Sequence, residues 1–311
     1  MMDALLDNAL LISVFVTMLR SATPLLLSSI GELAIQRAGI WNLGVEGTML
    51  SAAFAAYAVV VATGSLPLAT VAAVLVGALV GALTSMLTVA LKLDQFVTGL
   101  AINLVASGLT LYLFRSNHAV FSAGNFTGFA PVAVPFLADI PVIGRIFFQQ
   151  RLPTYLALAL IPLAWFFLHR TRQGLELRVL GENPKVLQTR GIAVAPRLWL
   201  IIVAGSGLTG LGGAFLVLGL SDRFIPEITA GRGWLVVVAL VAGNWSLFGT
   251  ITAVFAFAAL QAIASHAQVL NLPVPYQFLL ALPYIASLAT LMIFRSRSGQ
   301  PAHLGLRDIG K

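Results

Sequence analysis

Few residues in this chain could do chemistry, and their types exclude most of it. Of 311 residues, 18 are Lys or Arg, 11 are Asp or Glu and four are His, with no cysteine. Disulfides and thiolate metal sites are therefore excluded. The histidines, His118, His169, His266 and His303, are scattered and show no HExxH or other metal-ligand spacing. No GxxxxGKS/T loop is present, so the chain has no P-loop of its own for ATP. Acids do not recur along the apolar runs as a proton relay would require. Glu32, Arg37 and Glu46 are the exception in the first half, gathered in GELAIQRAGIWNLGVEG, residues 31–47. They are placed to neutralise one another or cap helix ends rather than to move protons. A membrane enzyme would need clustered His, Asp or Glu, and a stand-alone secondary transporter an ion site within the membrane. Neither pattern is found, and no cofactor is implied.

The second concentration of charge is residues 168–196, LHRTRQGLELRVLGENPKVLQTRGIAVAP. With Arg197 just beyond, it carries Arg170, Arg172, Arg178, Lys185 and Arg190 against Glu176 and Glu182, a net of +4. Arg295, Arg297, Arg307 and Lys311 against Asp308 add +3 in the C-terminal tail, which completes the net +7 of the chain. Lys and Arg are retained on the cytoplasmic side of a membrane, so both segments are expected there. Asn183-Pro184 reads as a helix start, with Asn able to cap and Pro suited to the first turn. Gly191 stands where a C′ glycine would end the helix. A helix of about seven residues, roughly 10 Å long, is unstable alone in water. It needs a protein surface, and Val186 and Leu187 offer a small apolar face for one.

These groups must be positioned by apolar elements. Hydrophobic residues make up 59% of the chain and charged residues 9%, against near 25% charged in soluble domains. The expectation is an all-α, polytopic membrane bundle of about 8–10 transmembrane or re-entrant helices, a single domain over residues 1–311, with residues 169–197 as a cytoplasmic segment within it. Residues 9–30, 43–62, 68–91, 96–114, 152–168, 198–220 and 276–294 read as spans by length and apolarity. The first apolar run lacks a basic leader and is read as a retained span with an external N-terminus. Residues 31–47 read as a re-entrant or broken segment, since irregular backbone at membrane depth must be shielded from lipid. Residues 234–264 read as a hairpin of two short helices turning at residues 243–249. Residues 115–151 and 221–233 are placed outside. Glycines at 205, 207, 210, 212 and 213 promise close helix packing.

Two stretches, AGIWNLGVEGTMLSAAFAA and AGNWSLFGTITAVFAFAA, share Ala-Gly-x-Trp, a Gly-Thr pair and a small-residue helix. This suggests a two-fold internal repeat, a pattern in which broken helices line a pathway. On that basis Trp41, Asn42, Asn244 and Trp245 are candidates to meet a solute, by stacking and amide hydrogen bonds. A pathway with no energy source implies a partner that supplies the energy. The basic balance is sparse and one-sided, and gives no reason to expect nucleic-acid binding.

GELAIQRAGIWNLGVEGTML followed by GLELRVLGENPKVLQTRGI resembles the permease subunits of bacterial ABC importers for nucleosides. These belong to a wider group that includes ribose, galactose and branched-chain amino-acid permeases. The resemblance extends from about Gly31 to the last span. It departs from the family's habit at Arg178-Val179, where Arg-Ala is common, and at Val186-Leu187-Gln188, where two Ala are frequent. The resemblance implies an inner-membrane subunit that imports a nucleoside, or alternatively a simple sugar or branched-chain amino acid. It further implies a cytoplasmic ABC ATPase, a second related permease, and a periplasmic or lipid-anchored binding protein. Gly181, Glu182, Asn183, Pro184 and Gly191 match the segment that couples such permeases to their ATPase.

Overall fold

The computed structural model describes residues 2–117, 121, 126–269, 276–293 and 299–306. Arg295, Arg297, Arg307, Asp308 and Lys311 of the basic tail, and His118, lie outside the described residues. Nearly all regular structure is helical: α1 (Met2–Arg37), α2 (Val45–Thr63), α3 (Leu66–Ser85), α4 (Gln95–Ser116), α5 (Ile143–Phe147), α6 (Leu152–Arg170), α7 (Arg172–Glu182), α8 (Lys185–Thr189), α9 (Val194–Phe215), α10 (Arg232–Ala242), α11 (Leu247–Val269) and α12 (Tyr276–Ile293). Wide π turns, Met86–Ala90 and Leu216–Ser221, extend α3 and α9. The region between α4 and α6 holds α5 and a two-stranded antiparallel ribbon, β1 (Pro131–Ala133) with β2 (Gln149–Arg151), which the all-helical expectation had not included. Among the described residues, seven helices are long and apolar enough to cross a membrane: those within α1, α2, α3, α4, α6, α9 and α11.

α9 is the hub. Of its apolar window, 72% lies inside the protein, against 22% for α3. Its glycines let other backbones come into contact with it. A Cβ on Gly31 of α1 would fall 2.3 Å from the Gly205 carbonyl oxygen, and one on Gly77 of α3 would fall 2.5 Å from that of Ser206. Lipid gives no hydrophobic drive for helices to associate, so van der Waals contact at this range is what holds the bundle. That contact also explains a departure from the expected layout. The first span does not stop at Ile30. α1 continues through Gly31 to Arg37, because that glycine is packed on α9 as helix. The irregular backbone is confined to residues 38–44, where every residue but Trp41 is buried.

The expected hairpin at residues 234–264 is present with unequal arms. α10 has 11 residues, about 16 Å, and cannot cross alone. α11 has 23 and can. The loop before α10 descends to meet it: Ser107, about 18 Å along α4 from Gln95, donates to Glu227 Oε1 at 2.5 Å. Glu46 at the start of α2 then takes the backbone N–H of Gly231 at 2.8 Å and of Gly233 at 2.6 Å. A carboxylate on the N-terminal amides of a helix satisfies orphan donors and opposes the helix dipole, so Glu46 fixes where α10 begins. At the far end of α11, His266 Nε2 lies 3.0 Å from Ser13 Oγ near the start of the α1 span.

The Gly77→Ala substitution is expected to lower the stability of the detergent-solubilised protein by about 1–3 kcal/mol, because the added methyl meets backbone rather than a movable side chain. A fall in thermal melting temperature checks this.

Candidate functional site

The polar groups singled out in the sequence converge at one end of the bundle. Glu32, in the last turns of α1, is fully buried. Gln36 Nε2 donates to its Oε1 and Asn42 Nδ2 to its Oε2, both at 2.9 Å. Asn42 Oδ1 in turn accepts the N–H of Gly44 at 3.0 Å. On the other side, Trp245 Nε1 donates to Gln36 Oε1 at 2.8 Å, and Arg37 Nε donates to the Trp245 carbonyl at 2.7 Å. The break after α1 and the break after α10 are thus joined by one chain of hydrogen bonds. Asn244 and Trp245 both have positive φ, 54° and 50°. For a bulky residue this region costs on the order of 1–3 kcal/mol. The bonds from Arg37 and to Gln36, with the Trp245 N–H on the Leu240 carbonyl at 2.9 Å, hold it there.

Asn42 and Trp245 are 3% and 4% exposed, and in this conformation their polar side-chain atoms are engaged by protein. Trp41 and Asn244 are partly exposed. The Trp41 backbone N–H donates to Gln95 Oε1 at 2.6 Å, while its indole Nε1 is buried without a partner, and Asn244 Oδ1 accepts the backbone N–H of Gly299 at 2.7 Å.

The basic segment adjoins this junction. α7 was not anticipated, although its signals are in the sequence. Thr171 Oγ1 accepts the Gly174 N–H at 3.0 Å as an N-cap. Gly174, Leu177, Leu180 and Gly181 recur at helical spacing and are all buried. Glu176 and Arg197 pair at 2.5 Å across the segment. After α7 the short helix forms as expected from its punctuation. Asn183 Oδ1 accepts the Lys185 N–H at 3.1 Å, and Gly191 has φ 72°. α8 is five residues long, shorter than expected. Only Leu187 of its apolar pair is buried, and Val186 is 42% exposed. Glu182, Asn183, Lys185, Gln188, Thr189 and Arg190 are exposed with Val186.

One further segment ties these parts together. Residues 299–306 run along the same end of the bundle. The His303 N–H donates to the Gly181 carbonyl at 2.8 Å, and His303 Nδ1 lies 3.2 Å from the Glu182 carbonyl. The Gly305 N–H donates to the Gly39 carbonyl at 3.2 Å, and Gly299 binds Asn244 as above. Gly181 itself is pressed against Arg37, where a Cβ would meet the carbonyl oxygen at 2.1 Å. The basic segment, both helix breaks and residues 299–306 therefore share one face of the bundle. Among the described residues, no three His, Asp or Glu side chains are grouped to hold a metal ion.

Residues 14–293 match the family described as branched-chain amino acid transport system, permease component. The chain is 34% identical over 304 residues to the nucleoside ABC transporter permease protein NupC of Lactococcus lactis, covering 94% of this chain and 95% of that one. It is 30% identical over 295 residues to the guanosine ABC transporter permease protein NupQ of Bacillus subtilis, covering 92% of each. It is 34% identical over 261 residues to a putative glucose ABC transporter permease protein, TsgC13, of Haloferax volcanii, covering 81% of this chain and 77% of that one. No solved structure matches the chain.

The Trp245→Phe substitution keeps an aromatic ring, though a smaller one, and leaves Gln36 Oε1 without its donor. It is expected to cost about 1–3 kcal/mol, read as a lowered melting temperature relative to a Trp234→Phe control at an exposed position.

Proposed function

The chain belongs to the branched-chain amino acid transport permease family and is a multi-pass, non-enzymatic membrane subunit of an ATP-binding-cassette transport system, and on that premise we propose that it forms part of the import pathway for a nucleoside. The observation that carries the substrate class is the pair of relatives named for nucleosides, each aligned over more than nine-tenths of both chains. Import of a simple sugar is the second reading, favoured by the glucose permease relative. The proposed assembly has this chain beside a second related permease, a cytoplasmic ATPase beneath both, and a binding protein delivering solute from outside.

In this proposal residues 169–197 are the coupling segment. Gly181, Glu182, Asn183, Pro184 and Gly191 shape it, and α8 with its exposed Val186 seats in a groove of the ATPase. An isolated helix of five residues has no stability of its own. Leu187 on the inner side and the ATPase on the outer side would supply it. ATP binding shifts the pathway only if the ATP-bound and ATP-free ATPase hold this helix differently. Support for transmission comes from the continuity described above: α7 presses on Arg37 through Gly181, and residues 299–306 bond to α7 and to both breaks. Trp41, Asn42, Asn244 and Trp245 would then form the inner rim of the pathway, setting the angle of α2 and α11 as solute leaves.

Two measurements test this. Proteoliposomes holding the whole complex should accumulate labelled guanosine or uridine in preference to glucose or leucine. Uptake of glucose alone selects the second reading. In the same complex, Pro184→Gly combined with Glu182→Ala should abolish both solute-stimulated ATP hydrolysis and uptake. Wild-type values for both would remove the coupling assignment.

A further inference from the structure

Between α6 and α9 the bundle is not closed. Both helices pack on α1, yet they barely meet each other. Their separation leaves a groove of about 470 Å³, floored by Ile30, Gly31 and Ala34 of α1 and walled by residues 160–171 of α6 and the stretch 201–208 of α9. The lining is almost wholly apolar. Leu163, Phe166 and Ala204 on its walls are exposed, so the groove opens on the side of the bundle.

At one end it runs into a second cavity of about 360 Å³, with Phe167 and Ile201 lining both. Here the walls turn polar, with Gln173 and Glu176 of α7 facing Arg197 of α9. Arg197 Nε donates to Glu176 Oε2 at 2.5 Å, and Arg197 Nη1 donates to the Ala193 carbonyl at 3.0 Å. The pair is not sealed off. The Glu176 and Arg197 side chains keep 27% and 36% of their surface exposed, and Gln173 is exposed beside them. A carboxylate and a guanidinium thus stand side by side, within reach of a ligand, at the mouth of an apolar slot.

Two tryptophans fix the depth of that mouth. Trp165 lies five residues before the end of α6, and Trp199 five residues after the start of α9. Phe167 and Ile201, where the cavities meet, are each two residues from one of these rings. The Arg170 guanidinium sits 5.8 Å from the centre of the Trp165 ring. Trp collects where the hydrocarbon of a membrane gives way to headgroups. The groove therefore lies at acyl-chain depth and the polar cavity at headgroup depth.

Shape and charge narrow the occupant. Residues 160–171 of α6 span about 16 Å, so the groove has a mean cross-section of roughly 28 Å². A helix about 10 Å across takes roughly 80 Å². The slot is too narrow for a helix of a neighbouring subunit and admits one alkyl chain. Such a chain gains nothing hydrophobic on leaving other lipid, so the headgroup decides which lipid stays. The mouth carries one acid and one base. A headgroup with a phosphate alone would serve Arg197 and set a negative charge against Glu176. A phosphocholine balances both charges, but its ammonium has no N–H to donate. A primary ammonium beside a phosphate makes charge-assisted bonds to both residues, and these are the strong kind.

We infer that the groove and its mouth hold one phospholipid with a primary-ammonium headgroup, its acyl chain between α6 and α9, its phosphate on Arg197 and its ammonium on Glu176. The inference rests on the membrane-spanning helices and not on which solute is moved. Glu176 and Arg197 flank the stretch that carries α8, so the lipid braces the base of that stretch.

The test is native mass spectrometry of the full chain in detergent, with phosphatidylethanolamine, phosphatidylcholine and phosphatidylglycerol of identical acyl chains as probes. One phosphatidylethanolamine should be retained per chain, about tenfold more often than either of the others, the effect of one charge-assisted hydrogen bond. Glu176→Gln should bring its retention down to that of phosphatidylcholine. Ala204→Phe, which fills the groove and leaves the ion pair in place, should abolish retention of all three. Circular dichroism checks that both variants keep the wild-type helix content, and the comparison of headgroups on the wild type needs no variant. The same lipid should remain in the complex assembled with the ATPase. Equal retention of the three probes would mark ordinary surrounding lipid and overturn the inference. So would wild-type retention in the two folded variants, or loss of the lipid from the assembled complex, which would show a subunit covering the groove instead.

Discussion

Inside a bilayer every backbone N–H and C=O must find its partner within the protein. This chain interrupts two helices at one end of the bundle and therefore has to satisfy the exposed groups twice. It does so with side chains that serve both interruptions together. Glu32 anchors the first through Asn42, and Gln36 and Arg37 anchor the second through Trp245. A buried carboxyl group is tolerable only where its oxygens are hydrogen-bonded, and both oxygens of Glu32 are. Gln36 is the member that touches both, donating to Glu32 and accepting from Trp245, so it links the two breaks.

The rest of the bundle follows from how closely α9 can be approached. Its glycines bring α1 and α3 to backbone contact, and the same contact keeps α1 helical through Gly31. Held that way, α1 reaches far enough to place Glu32, Gln36 and Arg37 under the second break. α10 is aligned from the opposite end, where Glu46 grips its first amides. A half-helix clamped at both ends by residues of the first two helices is held in register with them.

Much of this was legible in the residues. Charge asymmetry brought the basic segment and the tail to one side, and residues 299–306 do lie against Gly181 and Glu182. Asn183-Pro184 and Gly191 bounded a short helix because caps are local chemistry. The paired Ala-Gly-x-Trp stretches each mark a helix break. What escaped was non-local. Nothing near Gly31 says that Gly205 will be its neighbour, so the polar run looked like a separate segment. The partnership of Glu46 with amides nearly two hundred residues away, and of Asn42 with Glu32 rather than open space, depends on tertiary packing. α7 is a different case: its cap and its spacing were visible, but the charges between them resembled a loop.

The seam made by residues 299–306 bears on how the protein comes into being. The ribosome reaches those residues about 260 positions after Gly39, and at roughly 5–20 residues per second that delay is on the order of tens of seconds. Until that interval ends, this face of the bundle lacks its fastener, with Gly181, Asn244 and Gln95 each missing a bond. The fold therefore closes this face last, through a short segment that reaches back to residues made long before it.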